Sequence, residues 1–176
     1  LWGNLEELQG GAYDRSDAER IYGRAFDLSP KRSDISLTLA KLKATQGFIQ
    51  QAINYYKHTL KHHPDNHEAI LGLLDQYISL NKKDEINKLK EQVITFADKD
   101  PGNIDLQHNL SRMYFVTREY GKANEILVKE LKQDPALFRF RNLLSEIYLK
   151  THHWDKASEQ YLIFLRHAQP SPELDA

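Results

Sequence analysis

Five of the six prolines, Pro30, Pro64, Pro101, Pro135 and Pro170, are separated by 34, 37, 34 and 35 residues. A recurrence at that interval is the mark of a repeat array, in which one structural unit is copied along the chain. Each proline closes an amphipathic stretch, as in Leu28-Ser-Pro, Lys99-Asp-Pro and Gln133-Asp-Pro. Proline ends a helix there because it lacks an N–H and its ring clashes with the turn before it. Twelve residues before the first four prolines stand Ala18, Ala52, Leu89 and Ala123, and Ala157 lies thirteen before Pro170. Thirteen residues further back are Leu5, Leu39, Leu110 and Leu144, whereas Leu73 sits sixteen before Leu89. The third unit therefore carries a three-residue insertion, which accounts for its longer period.

Apolar residues fall at helical spacing in two blocks per unit, for example Ile70, Leu73, Leu74 and Tyr77, then Ile86, Leu89, Val93 and Phe96. That periodicity predicts two amphipathic helices per unit, about ten in all, and no segment sustains the alternation of a strand. Turn segments separate the blocks at Thr45-Gln-Gly, Asn81-Lys-Lys-Asp and Thr151-His-His. Ser33, Asp65 and Asn103 are predicted to offer an oxygen to first-turn amides. The three inserted residues nearly equal one helical turn. They are expected to lengthen the helices of the third unit and leave Lys82-Lys-Asp-Glu85 as a protruding charged turn.

With these residues in register the chain resembles the tetratricopeptide repeat family, whose pattern is W-x2-L-G-x2-Y, then A-x3-F, then P. Trp2-x2-Leu5, Leu73-x3-Tyr77, Leu110-x3-Tyr114 and Leu144-x3-Tyr148 fit its first helix, and Ala18-x3-Tyr22, Ala52-x3-Tyr56 and Ala157-x3-Tyr161 its second. The family's first-helix glycine is replaced by Ala40, Leu74, Ser111 and Ser145, and its small second-helix residue by Leu89, which predicts looser packing around the third unit. The resemblance implies an all-α fold, a right-handed α-solenoid of about five helix-turn-helix repeats. The units are placed at about 1–32, 33–66, 67–103, 104–137 and 138–168, with 169–176 as a tail or linker. Small residues would let neighbouring helices approach while Tyr56 and Tyr161 fill the groove of the next pair.

Lysine plus arginine (24) nearly cancels aspartate plus glutamate (25), leaving a net charge of -1, which disfavours a polyanion binder. There is no cysteine, so disulfides and thiolate chemistry are excluded, and no phosphate loop, dinucleotide fingerprint or nucleophile elbow occurs. No cofactor and no catalytic role are expected. His58 and His62 share a helix face at metal-ligand spacing, but Lys57 and Lys61 beside them speak against a cation, and solvated histidines at a helix end are the expectation. Asn109-Leu-Ser111 has the form of a glycosylation sequon but falls in mid-helix. No apolar run approaches the roughly 20 residues of a membrane span, so a soluble chain is expected, in the cytoplasm or a periplasm. Residue 1 is Leu, so the chain is expected to be a piece of a longer protein.

In this family first-helix residues that point away from the packing seam line a concave groove. Helical geometry places Leu37, Leu71, His108 and Asn142 in one such row, Lys41, Asp75, Arg112 and Glu146 in a second, and Ile78 and Phe115 in a third, with Arg139 on the outer turn and Asn109 adjacent. The middle row alternates in sign. Its simplest role is an internal ladder of weak ion pairs; the other is to fix the register of a mixed-charge peptide. The apolar rows would expose a stripe of the kind that marks partner sites. The carboxylate clamp that some members use for chaperone tails is absent, since Leu37, Lys41, Leu71 and Asp75 stand where its pattern needs other residues. The expectation is a non-catalytic adaptor that holds a peptide or protein segment. The alternatives are a structural spacer of a larger envelope, export or secretion protein, or an array that reads RNA like the pentatricopeptide proteins. A second copy of the chain, or further sequence, is expected to cover the apolar run Tyr161 to Leu165.

Overall fold

A computed structural model describes the backbone of residues 12–168 and the side chains of residues 17–166. Among the described residues there are nine helices and no strand: α1 (Ala12–Leu28), α2 (Ser33–Thr45), α3 (Ile49–His62), α4 (His67–Ser79), α5 (Lys83–Lys99), α6 (Ile104–Val116), α7 (Tyr120–Gln133), α8 (Phe138–Lys150) and α9 (Trp154–Ala168). The expected first helix, with Trp2 and Leu5, and the tail from residue 169 lie outside the described residues. The chain divides into two compact units, one through Leu89 and the other from Lys90. In the first, α2 packs on α1 and α3, and α4 packs on α3 and α2. In the second, α7 packs on α6, α8 on α7 and α6, and α9 on α8.

The cores follow the periodicity. Leu39, Leu73, Leu110 and Leu144 are all buried, as are Ala18, Ala52, Ala123 and Ala157. Burial of these leucines supplies most of the drive for pairing, at roughly 1.5–3 kcal/mol for each fully buried side chain. The small residues set how closely the helices approach. Tyr56 of α3 lies against Gly72 of α4 so closely that a Cβ at Gly72 would overlap its ring. Tyr56 is buried, as expected, but Tyr161, at the corresponding position of α9, is exposed.

The helices α2, α4, α6 and α8 are each 13 residues long, and α3 and α7 are 14. The three-residue insertion falls wholly in α5, which has 17 residues. Lys83, Asp84 and Glu85 form its first turn, so the protruding charged turn expected there does not exist. Among the described residues, four hairpin turns share one geometry. Gly47, Asn81, Arg118 and His152 take positive φ of 79, 52, 65 and 62°. In each, that residue's N–H donates to a carbonyl three back and the next residue's N–H to one five back, as in Arg118 to Phe115 and Glu119 to Tyr114. This is the Schellman closure, which satisfies the orphan carbonyls at a helix end.

Helix starts differ from expectation at two sites of three. Asn103 caps α6 by accepting from the Leu106 N–H at 3.1 Å. For α4 the cap is Asn66, which accepts from Ala69 at 2.8 Å, one residue past Asp65. Arg32 stands at the cap of α2 without a side-chain bond, and Ser33 is already helical.

Candidate functional site

The predicted groove residues are distributed over both units, and each unit presents its own set. In the first, Lys41 on α2 forms an ion pair with Glu68 on α4. Both side chains are about half exposed, so the pair contributes little, under about 1 kcal/mol. Lys41 thus reaches the first turn of α4 rather than Asp75. Leu71, Asp75 and Ile78 are half-buried along α4, and the Asp75 carboxylate accepts from Gln76 Nε2 at 3.3 Å. Leu37 is buried, which removes it from the exposed apolar stripe. Burial, with Asp75 and Glu68 nearby, pushes the Tyr56 hydroxyl up to about 12.

In the second unit the site residues converge more closely. Asp105 on α6 and Arg139 on α8 pair at 2.5 Å, tying the N-terminal ends of the two helices. One turn along, the His108 ring lies 5.1 Å from the fully buried ring of Phe140. Burial first, then the Arg139 and Arg112 guanidiniums, bring the His108 imidazole down to about 4, so it is neutral at pH 7. Arg112 reaches Asn109 Oδ1 at 3.5 Å. Phe115 is half-buried with its ring 5.8 Å from Tyr120 of α7. On α8, Asn142 is exposed and Glu146 half-buried. The result is a two-helix face with a fixed ion pair at one end, His108, Asn109, Arg112 and Asn142 in the middle, and Phe115 beyond.

Sequence spacing missed the role of the outer turn. Glu68 and Asp105, both on that turn, supply carboxylates to ion pairs between first helices, Glu68 with Lys41 and Asp105 with Arg139. A further pair holds α1 to α2: Lys43, almost fully buried, bonds the half-buried Glu19, whose carboxyl pKa is lowered first by that bond and then by one from Gln46. At Glu119 burial weighs more, with the same net direction. Burial raises its pKa, but bonds from Lys90 (2.6 Å), Lys122 (2.9 Å) and Thr117 (2.9 Å) outweigh that and bring it to about 2.

The histidine pair departs from the expected solvated residues. His58 packs its ring 4.8 Å from Phe26 and 5.0 Å from His62, its Nδ1 is buried without a hydrogen-bond partner, and burial lowers its pKa. No group of three or more potential metal ligands occurs among the described residues. No helix among them is long and apolar enough to cross a membrane.

No protein-family model and no curated protein matches the sequence. Solved structures do match in shape. A tetratricopeptide repeat protein from Parabacteroides merdae superposes with a TM-score of 0.78 at 16% identity over 96% of this chain, which spans 64% of that one. MamA from Desulfovibrio magneticus, from residue 41 to its end, gives 0.77 at 16% identity, covering 96% of this chain and 94% of that one. A thermophilic TPR protein of Thermus thermophilus gives 0.68 at 20% identity, covering 94% and 89%. With its paired helices, its buried leucine and alanine positions and these neighbours, the chain has the all-α fold of a tetratricopeptide-repeat array.

Proposed function

We propose that the chain is a non-catalytic interaction scaffold of five repeat units, at about 1–32, 33–66, 67–103, 104–137 and 138–168, that holds a peptide or protein segment on the faces of its first helices. The observation that carries this reading is the α6 and α8 face. Asp105 and Arg139 brace it, His108 is held neutral against Phe140, and Asn109, Arg112 and Asn142 are partly or fully open. Two helices packed together hold these side chains at fixed spacing, which lowers the ordering cost of binding. Neutral donors and acceptors suit a peptide backbone, Arg112 a carboxylate, and Phe115 an apolar side chain. On α4, Leu71, Asp75 and Ile78 offer a second mixed surface, with Lys41 beside it. Repeat proteins of this fold use such faces for extended segments.

The test is a selection of short peptides from a random library against the 176-residue chain, with an Arg112→Ala, Asn142→Ala chain as counter-selection. Peptides that bind the first and not the second support the reading. Peptides that bind both equally would place recognition elsewhere.

A further inference from the structure

We propose that the face of α9 turned away from α8 is a self-association surface, on which α9 of a second copy lies antiparallel. Trp154, Tyr161, Leu162, Phe164 and Leu165 are 58, 39, 51, 43 and 54% exposed. The repeat register shows what such positions do elsewhere. Tyr161 corresponds to Tyr56, Val93 and Leu127, and Phe164 to Thr59, Phe96 and Glu130, all six of them buried. Tyr56 is covered by the helix that follows it, through Gly72. α9 presents the same docking surface uncovered. It packs on α8, and Phe164 meets Phe138 edge-on at 5.9 Å, which accounts for one side only.

The pattern on the open side fits a copy of itself. At 100° per residue, Trp154, Ser158, Tyr161 and Leu165 fall within an arc of about 60°, with Leu162 and Phe164 on its margins. That stripe carries no charge. An antiparallel pairing about a two-fold axis sets Trp154 against Leu165 of the second copy and Ser158 against its Tyr161. A small residue then faces a tyrosine ring, the match that Gly72 and Tyr56 make within the chain. The flank agrees in charge. Asp155 and Glu159 occupy its start and Arg166 its end, so the antiparallel arrangement brings Arg166 of one copy beside Asp155 of the other. A two-fold pair closes the same patch on both copies at once.

Sedimentation of the full chain tests this over a range of concentrations that reaches those at which weak complexes form, about 1 mM. The expected result is a monomer–dimer equilibrium that Ser158→Trp and Tyr161→Asp each abolish while helical circular dichroism is unchanged. Asp155→Arg weakens association, and Asp155→Arg with Arg166→Asp restores it. The chain has no cysteine of its own. Trp154→Cys and Leu165→Cys chains, mixed under oxidising conditions, therefore cross-link to each other in the antiparallel pair. A monomer at every concentration overturns the proposal, as does Trp154→Cys cross-linking only to itself. Dimerisation that survives Ser158→Trp and Tyr161→Asp assigns it to another surface. A monomer that dimerises only after removal of residues 169–176 would make that segment the occupant instead.

Discussion

At the residue scale, four turns with one backbone geometry use four different side chains. Gly47 adopts positive φ freely, whereas Arg118 and His152 do so against the clash of their Cβ with the carbonyl. Arg118→Gly is expected to raise stability by about 0.5–1 kcal/mol, and Gly47→Ala to lower it by about 1 kcal/mol, read as shifts in urea midpoint. A loss on Arg118→Gly would show that the Arg118 side chain contributes more than its backbone costs. His108 gives a second test, through pH. Its pKa is about 4 in the folded chain and close to 6.5 when unfolded, so protons favour the unfolded state. Its contribution is full above pH 6.5 and is lost as pH falls toward 4. His108→Gln should make stability less dependent on pH across that window, with the lowered pKa of His58 remaining. Glu119 does not interfere there, because its lowered pKa of about 2 costs stability only below the ordinary carboxylate range.

At the element scale, the close approach of α3 and α4 rests on one complementary pair. Gly72→Ala should destabilise, because the added methyl overlaps the Tyr56 ring by more than the helix gains in propensity. In a Tyr56→Val background, with the residue that the next second helix uses, the same change should stabilise by about 1 kcal/mol. Thermal unfolding of the four chains gives the coupling directly, and additive effects would mean the two residues are independent. The helices themselves were legible in sequence because the leucine and alanine positions are spaced by helical geometry and nearly all are buried. Their ends were less so. Asp65 and Asn66 both offer a capping oxygen, and only the backbone decides which one stands at the cap. A three-residue insertion suits a longer helix or a longer turn equally in sequence; the shared Schellman closure kept the turn fixed and sent the residues into α5. Asn81, Arg118 and His152 in left-handed geometry were invisible for the same reason, since no glycine marked the turns.

At the scale of the whole molecule, periodicity located the first-helix rows but not which of their members meet. Helical angle alone placed Lys41 opposite Asp75, whereas the long lysine side chain reaches Glu68. Leu37 was assigned to an open stripe and is buried, because angle on one helix does not register how neighbouring helices cover it. On the α6 and α8 face, Arg112 is half-buried and Asn142 exposed, and neither belongs to a leucine seam. Both substitutions there should leave stability within about 0.5 kcal/mol, as surface changes usually do. The central claim is that this face binds a segment, and titration calorimetry of a library-selected peptide tests it most directly. The account predicts that Arg112→Ala and Asn142→Ala each weaken binding by roughly 5-fold or more, about 1 kcal/mol, while Glu125→Ala on the exposed side of α7 leaves it unchanged. Equal affinity in all four chains, with folding intact, would contradict it.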